Sequence, residues 1–155
     1  MEIQLWWIGK TNFKYLEDGI LDYTKRLKHF CKFGILEIKS TKSITNPKQV
    51  QDIEGTEIKK RIDLKDFIII LDEKGKELSS KEFASQLELI QNTGVNRIIF
   101  IVGGAFGFGD EIKSRANLSL SFSKFTLSHQ LIRLFFVEQL YRAYTIIHHT
   151  PYHNE

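Results

Sequence analysis

Runs of apolar residues divide the chain and predict the buried strands of a sheet. The clearest are Ile3–Ile8, Phe67–Leu71 and Ile98–Val102. Runs of this kind are typical of strands covered on both faces, as in a parallel sheet between helices. Gly34–Ile38 predicts a further strand. Leu118–Phe122 alternates apolar with polar residues, which indicates a strand nearer the edge of the sheet.

Between these runs, apolar residues recur every three or four positions, which is the spacing of helices with one buried face. In the first such segment, Thr11 or Asn12 is expected to cap a helix. The predicted inward positions of that helix are Phe13, Leu16, Ile20, Tyr23, Leu27 and Phe30.

Capping signals predict three more helix starts. Asn46 before Pro47 is a typical N-cap followed by a first helical residue. Ser79 and Glu82 have the spacing of a capping box, and Asp110 is expected to cap a short helix. In the helix after Pro47, the predicted inward residues are Val50, Ile53 and Ile58.

Strands and helices therefore alternate from the first strand to the last helix. This order predicts an α/β fold with a mainly parallel sheet and helices on both faces. Glu73–Glu77 is interpreted as a polar turn that closes the third strand. The chain has 155 residues and no repeat or linker, so residues 1–155 are expected to form a single domain.

The last predicted helix is apolar on more than one side. Twelve of the seventeen positions from Leu131 to Ile147 are apolar. Such a helix needs cover beyond its sheet-facing stripe, and in a small chain a second subunit would supply it. We therefore predict a homodimer. The alternative is a helix enclosed by its own domain.

Composition and charge restrict the protein class. No apolar run is long enough for a membrane helix, and the N-terminus has no signal-peptide pattern, so we expect a cytoplasmic protein with no membrane partner. The net charge is +3, and basic residues cluster around Lys25–Lys32 and Lys59–Arg61. This distribution could steer a polyanion, but solvated helix faces explain it equally well.

A glycine-rich loop follows the Ile98–Val102 strand, with Gly103, Gly104, Gly107 and Gly109 within seven positions. Glycines there allow a close approach of the backbone to a ligand at the carboxyl edge of the sheet. The loop matches neither a P-loop nor the G-x-G-x-x-G pattern. It suits a neutral or cationic adenosine ligand better than a triphosphate. A tight turn without a ligand is the alternative.

Three of the five histidines lie in the polar tail His148–Glu155. A frayed end is the usual fate of such a tail. Metal binding is a second interpretation, although no carboxylate or thiol stands at a fixed helical spacing from these histidines, and we predict no metal site. A third is a cap over a site, in which Tyr152 and His153 stack on a base or exchange protons.

Several short motifs, in this order and ending at the extreme C-terminus, resemble the SPOUT-type methyltransferases that methylate N3 of a pseudouridine in large-subunit ribosomal RNA. They are Ile8–Lys10, Tyr23–Leu27, Leu71–Asp72 with Gly75–Lys76, Ser79–Ala84, Ile101–Ala105 with Gly107, Leu127–His129, Arg133, Glu138–Ala143 and Pro151–His153.

The resemblance implies a C-terminal trefoil knot, S-adenosylmethionine bound within it, and a homodimer that acts on 23S ribosomal RNA. Carried over by position, the cofactor-binding residues would be Leu71, Gly103, Gly104, Ser123, Lys124, Phe125, Thr126, Leu127 and Ser128. Phe106 and Phe108 stand where smaller or polar residues are common in that family, and Asn154 replaces a frequent basic residue.

The implied reaction is a direct in-line transfer that also removes the N3 proton. Arg142 is the first candidate for stabilising the developing anion, with Arg133 next. His129 is expected to act as a general base or to orient the substrate. Tyr152 and His153 are expected to hold the nucleotide, including in the partner's site.

The expected substrate is the assembled ribosome, because the basic surface is small for binding naked RNA. Lys10, Lys25 and Arg26 are weaker candidates for phosphate contacts. The main alternative from another functional class is a non-enzymatic homodimer that binds RNA or the ribosome with the same fold.

Overall fold

The fold is a five-stranded parallel sheet between two layers of helices. The computed structural model describes residues 1–41 and 43–154, so positions 42 and 155 of the predicted domain lie outside the description. Within the described residues, strands and helices alternate as predicted: β1 (Glu2–Ile8), α1 (Lys14–Leu27), β2 (Lys32–Ile38), α2 (Pro47–Lys59), β3 (Phe67–Glu77), α3 (Ser80–Asn92), β4 (Arg97–Val102), α4 (Asp110–Arg115), β5 (Leu118–Ser121) and α5 (Leu131–Ile147).

The strand order is β2-β1-β4-β3-β5, with every neighbouring pair parallel. All residues of β4 from Ile98 to Val102 are buried, which agrees with a central strand covered on both faces. β5 is an edge strand, as its alternating pattern predicts, and β2 forms the other edge. The α/β fold class is confirmed. The trefoil knot, which depends on how the chain threads, stays a prediction.

Two separate apolar cores confirm that helices cover both faces of the sheet. On one face, residues of α1, α3 and α5 pack around Phe100 and Phe136. On the other face, Ile58 of α2 and Ile112 of α4 pack against Ile99 and Ile101. α5 contacts both α1 and α3, so it lies in the middle of the larger layer.

The prediction of a polar turn at Glu73–Glu77 is wrong, because β3 continues to Glu77. The strand shifts register between Leu71 and Lys76 and then pairs again with β5. Gly75 makes this possible, because a Cβ there would lie only 2.6 Å from the carbonyl carbon of Leu120. The backbones of β3 and β5 thus approach more closely than any side chain would allow.

Two predicted helix caps are confirmed and two are wrong. Asn46 accepts a hydrogen bond from the Gln49 amide, and Ser79 with Glu82 forms the capping box.

The two predictions that are wrong concern α1 and α4. α1 starts after Phe13 without a side-chain cap. The Thr11 hydroxyl accepts a hydrogen bond from Arg133 at 2.9 Å, which takes it away from the helix. For α4 the N-cap is Gly109, so Asp110 lies inside the first turn.

Two predicted inward residues are also wrong. Phe13 is 48% exposed and Ile53 is 37% exposed. The inward stripe of α2 is Val50, Glu54 and Ile58, which are spaced four positions apart. An acidic residue therefore takes the place that the pattern assigned to an isoleucine.

None of the helices formed by the described residues has both the length and the apolar character needed to cross a membrane.

Candidate active site

A cavity of about 620 Å³ opens at the carboxyl edge of the sheet, beside the ends of β4 and β5. The glycine loop after β4 and the segment 121–129 form its opposite walls, and residues 71–74 of β3 contribute a third side. Ligands of open α/β sheets bind at this edge. The cavity is therefore the first candidate for a binding site.

Most of the residues predicted to bind the cofactor come together in this cavity. Those that line it are Leu71, Gly103, Gly104, Ser123, Phe125, Thr126, Leu127 and Ser128. Lys124 is not among the lining residues, and its ammonium lies 3.9 Å from Glu77 in an exposed ion pair. The sequence places eight of these nine residues on one concave surface, although they come from three separate segments.

The glycine loop turns back on itself and presents backbone to the cavity. The Gly107 amide donates to the Gly104 carbonyl at 3.1 Å, and Gly107 has φ of +69°, a left-handed conformation that favours glycine. Gln51 of α2 holds the tip, because its side-chain amide donates to the Phe106 carbonyl at 2.7 Å. The loop is thus fixed by backbone and by α2.

Hydroxyl groups of the segment 121–129, which forms the other wall of the cavity, fix its conformation. The Ser121 hydroxyl donates to the Ser123 carbonyl at 3.0 Å, and the Ser123 hydroxyl accepts from the Phe125 amide at 2.9 Å. Ser128 accepts a hydrogen bond from the Leu131 amide at the start of α5. Across the cavity, the Thr126 hydroxyl donates to Glu73 at 3.3 Å.

Acidic residues at the rim are part of the cavity that sequence reasoning missed. Asp72 and Glu73 both line it, and Asp72 lies 3.7 Å from the ammonium of Lys113. Their position directly after the buried part of a predicted strand was the available signal. Lys74 and Lys113 also line the cavity, so its charged side chains balance, and the two carboxylates are able to pair with a cationic group of a ligand.

His129 lines the same cavity at the start of α5. Burial, together with the nearby charge of Arg133, lowers the pKa of His129 below its ordinary value. The imidazole is therefore neutral at pH 7 and has a nitrogen able to accept a proton.

Arg142, Tyr152 and His153 form a second group, which we call the tail cluster. The Arg142 guanidinium lies 4.8 Å from the centre of the Tyr152 ring and 3.3 Å from Nδ1 of His153. Glu138 binds both neighbours: its Oε1 is 2.6 Å from Arg142 Nη2 and accepts from the Tyr152 hydroxyl at 3.1 Å. The Tyr23 hydroxyl lies 3.1 Å from that of Tyr152, so α1 also holds the tail in place.

Glu138 was missed as a site residue, although its position four residues before Arg142 on a predicted helix is a known ion-pair spacing. This carboxylate raises the pKa of Arg142 above its ordinary value. The guanidinium therefore stays charged at every physiological pH. Burial is the main cause that raises the pKa of Tyr152, so its hydroxyl stays protonated.

Arg133, the second candidate for stabilising a substrate anion, has another role. It is fully buried and donates to the Ile8 carbonyl at 2.8 Å and to the His129 carbonyl at 2.9 Å. Its hydrogen bonds therefore join the end of β1 to the start of α5, and its side chain is not among those that line the cavity.

The cavity and the tail cluster lie at opposite ends of α5. Arg142 comes eleven residues after Leu131, where the helix starts, which corresponds to about 16 Å along a helix axis. Within one protomer, His129 is thus at the cavity, whereas Arg142, next to Tyr152, lies about 16 Å further along α5. The predicted site residues form two groups, not one.

Comparisons with known proteins agree with this arrangement. The family described as predicted SPOUT methyltransferase matches residues 1–153. Two relatives, from Christiangramia forsetii and Streptococcus pneumoniae, are named Ribosomal RNA large subunit methyltransferase H; they are 45% and 43% identical, with 99% of both chains covered in each case.

The chain belongs to the SPOUT methyltransferase family. A solved structure from Haemophilus influenzae, described as a probable methylase family protein, is 13% identical with a TM-score of 0.54, and it covers 99% of this chain and 70% of that one. At that identity it supports the fold alone. Family membership makes this protein a methyltransferase. The cavity is therefore the candidate site of methyl transfer.

Glu54 of this SPOUT methyltransferase is a buried acid directly behind the glycine loop. The side chain is 7% exposed, and burial raises its pKa to about 7. Sequence reasoning missed it, although an acid four residues from both Val50 and Ile58 in a predicted inward stripe is the signal of a buried carboxyl group.

The raised pKa of Glu54 predicts a pH-dependent gain in stability for Glu54→Gln. Between about pH 4.5 and 7 the unfolded chain loses this proton while the folded protein keeps it, so the free energy of unfolding falls as pH rises. We expect Glu54→Gln to raise the free energy of unfolding at pH 8 by on the order of 1–3 kcal/mol, and much less at pH 5.

Urea unfolding of both proteins at pH 5 and pH 8 measures this difference. Asp52→Asn is the matched control, because Asp52 is an exposed acid on the same helix. An equal effect of Glu54→Gln at both pH values would mean that the carboxyl is not held neutral by burial.

Proposed function

We propose that this SPOUT methyltransferase transfers a methyl group from S-adenosylmethionine to N3 of a pseudouridine in the 23S ribosomal RNA of the large subunit. The observation that carries the proposal is the cavity at the carboxyl edge of the sheet, formed by the glycine loop and by residues 121–129. The names of the two relatives indicate the same substrate class.

The cavity has the chemical groups that this donor requires. Backbone amides and carbonyls of the glycine loop suit the edge of an adenine, and Leu71, Leu127 and Ile132 provide apolar surface for its ring. Asp72 and Glu73 suit a cationic group at the rim. Bound there, S-adenosylmethionine would supply a methyl group that is already electrophilic, so the protein must mainly orient the two reactants.

The acceptor needs a base and a cation, and the chain has both. A neutral His129 is able to accept the N3 proton. The Arg142 guanidinium, fixed by Glu138 at 2.6 Å, would stabilise negative charge on the uracil-type ring as the proton leaves. Tyr152 and His153 would hold the nucleotide by stacking and hydrogen bonding.

These groups work on one nucleotide only if two protomers share the site. A two-fold axis across the middle of α5 would reverse its direction and bring the tail cluster of one protomer to the cavity of the other. Leu131 and Phe135, in the cavity half of α5, are 43% and 36% exposed. This exposed apolar surface favours a partner at that position.

We infer a homodimer that acts in the cytoplasm on the large subunit or the whole ribosome. The exposed basic residues of α1, including Lys25 and Arg26, are few for an RNA ligand held by charge alone. An assembled ribosomal surface would add contacts of other kinds.

We expect ribosomes that contain the pseudouridine to be methylated at N3, and ribosomes from a strain that lacks it to stay unmodified. Mass spectrometry of the isolated RNA fragment after incubation with the donor measures this. Equal methylation of both substrates would contradict the pseudouridine assignment. Calorimetry that detects no donor binding would instead favour the non-enzymatic RNA-binding dimer.

We expect two inactive variants to restore activity when they are mixed. Ala105→Trp fills the cavity, since Ala105 lines it and is exposed, and Arg142→Ala removes the cation. In an equal mixture of subunits, half of the dimers combine one of each and hold one intact shared site, so about a quarter of the wild-type activity should return.

Co-expression with two affinity tags gives the mixed dimer for this assay. Each variant alone is the control and should be inactive. No activity in the purified mixed dimer would mean that each protomer uses its own tail cluster.

A further inference from the structure

Glu54 lies against the wall of the donor cavity, on the side away from the ligand. A Cβ atom built on Gly104 would lie 2.7 Å from one carboxyl oxygen of Glu54 and 2.8 Å from the other. Gly104 itself lines the cavity. Only one layer of peptide backbone therefore separates the carboxyl group from the space assigned to the methyl donor.

The side chains around this carboxyl group are apolar except for that of Gln51, and the backbone of the glycine loop completes the lining. It shares a small space with Ile8 of β1, Ile58 of α2, Phe108 of the loop and Ile112 of α4. Among the residues that the structure describes, none donates a hydrogen bond to Glu54 or forms an ion pair with it. Its charge is thus neither neutralised nor screened locally, and in such an environment a charge acts over a longer distance than in water.

The charged residues on the neighbouring elements are not in this space. The groups concerned are Glu2 on β1 and Lys10 after it; Lys48, Asp52, Glu57 and Lys59 on α2; and Asp110, Glu111, Lys113 and Arg115 on α4. Lys59 pairs with Glu111, and Lys113 lies near Asp72. The glycine loop from residue 103 to 109 has no charged side chain. Glu54 is therefore the only titratable residue among those that surround this space.

We propose that Glu54 is a specificity-determining residue that makes the cavity prefer the cationic methyl donor over its neutral product. The inference rests on the proposed function, because it takes S-adenosylmethionine as the donor. Methyl transfer breaks the bond between sulfur and the methyl carbon and leaves its electron pair on sulfur, so the positive sulfonium becomes a neutral sulfide. The new bond forms to N3, whose proton leaves to a base.

A carboxylate behind a thin wall stabilises the cation but gains nothing from the sulfide. Binding of the donor therefore favours the ionised form of Glu54 and releases its proton, whereas binding of the product leaves the carboxyl group protonated. Loss of the positive charge during the reaction weakens binding at the moment when the product must leave. Gly104 is required at this position, since any side chain would push the carboxyl group away from the wall.

Calorimetric titration tests the proposal with two ligands, S-adenosylmethionine and S-adenosylhomocysteine, at pH 6 and pH 8. For the wild type we expect the preference for the donor to increase about tenfold between these pH values, with proton release seen as a dependence on buffer ionisation enthalpy. Glu54→Gln should lower donor affinity about tenfold at pH 8 and leave product affinity unchanged.

Two controls separate this effect from others. Asp52→Asn removes an exposed acid from the same helix and should change neither affinity. His129 also titrates and lines the cavity, but it is present in every variant, so the difference between the wild type and Glu54→Gln reports Glu54 alone. Unchanged product affinity also shows that the variant is folded, and proton release on donor binding should be smaller in Glu54→Gln than in the wild type.

An equal loss of donor and product affinity in Glu54→Gln would overturn the proposal, because it would indicate a merely structural role. Unchanged affinities would overturn it as well. If the wild type binds neither ligand, the proposed function fails and this inference fails with it, which is a different result from binding without discrimination.

Discussion

Arg142→Ala is expected to lower kcat for methylation about a hundredfold or more, with the affinity for the donor unchanged. Removal of one positioned donor from a developing anion typically costs 10²–10³ in rate. Arg142 is well positioned for this role, because Glu138, His153 and the Tyr152 ring all contact its guanidinium. Its proposed role is on the acceptor nucleotide, and it does not line the donor cavity of its own protomer, so donor binding should not depend on it.

Single-turnover methylation of ribosomes at saturating donor gives the rate, and calorimetry gives the donor affinity. Arg26→Ala is the matched control: this arginine also lies over aromatic rings, those of Tyr23 and Tyr141, but it forms an exposed pair with Asp22. Its removal should affect ribosome binding at most. A rate for Arg142→Ala within threefold of the wild type would exclude Arg142 from the reaction.

The sheet could be predicted from sequence because its strands are marked by local signals. Ile98–Val102 is buried on both faces and shows this as an unbroken apolar run. The same holds for the capping box at Ser79, which depends on residues only three positions apart. Where the residues that determine an element are close together in sequence, the local pattern predicts that element.

Predictions were wrong where the local structure depends on a residue that is distant in sequence. Thr11 is a good N-cap by type, but its hydroxyl accepts from Arg133, 122 residues further along the chain. The predicted turn in β3 is a strand because β5 pairs with it through Lys76 and Glu77. Neither contact can be predicted from the residues that are adjacent in sequence.

The candidate site shows the same division. The resemblance to a family named cofactor-binding residues that, apart from Lys124, all line the cavity, since they are carried over by position. It did not separate the cavity from the tail cluster, because the distance between His129 and Arg142 follows from the direction of α5 in the fold. Glu54 and Glu138 were missed because the role of an acid in an apolar stripe, or near an arginine, depends on which residues lie close to it in the folded structure.

Gly75→Ala is expected to lower the free energy of unfolding by about 3 kcal/mol or more, which is at the upper end for an overpacked site. The added Cβ would lie 2.6–2.7 Å from three backbone atoms of Ser119 and Leu120. Backbone atoms cannot move aside as a side chain does, so β3 and β5 must separate where they pair again after the register shift. For a chain of this size, such a loss lowers Tm by roughly 6–12 °C.

The separation would also widen the cavity, because Asp72, Lys74 and Ser121 on these two strands line it. We therefore expect donor affinity to fall in the same variant, even below its Tm. Gly34→Ala is the matched control, since Gly34 also lies in a strand but has no atom within 4 Å of an added Cβ; it should be neutral or slightly stabilising. Thermal unfolding by circular dichroism, with calorimetry at 20 °C, measures both effects. Equal stability of the two variants would mean that β3 and β5 are not held together at Gly75.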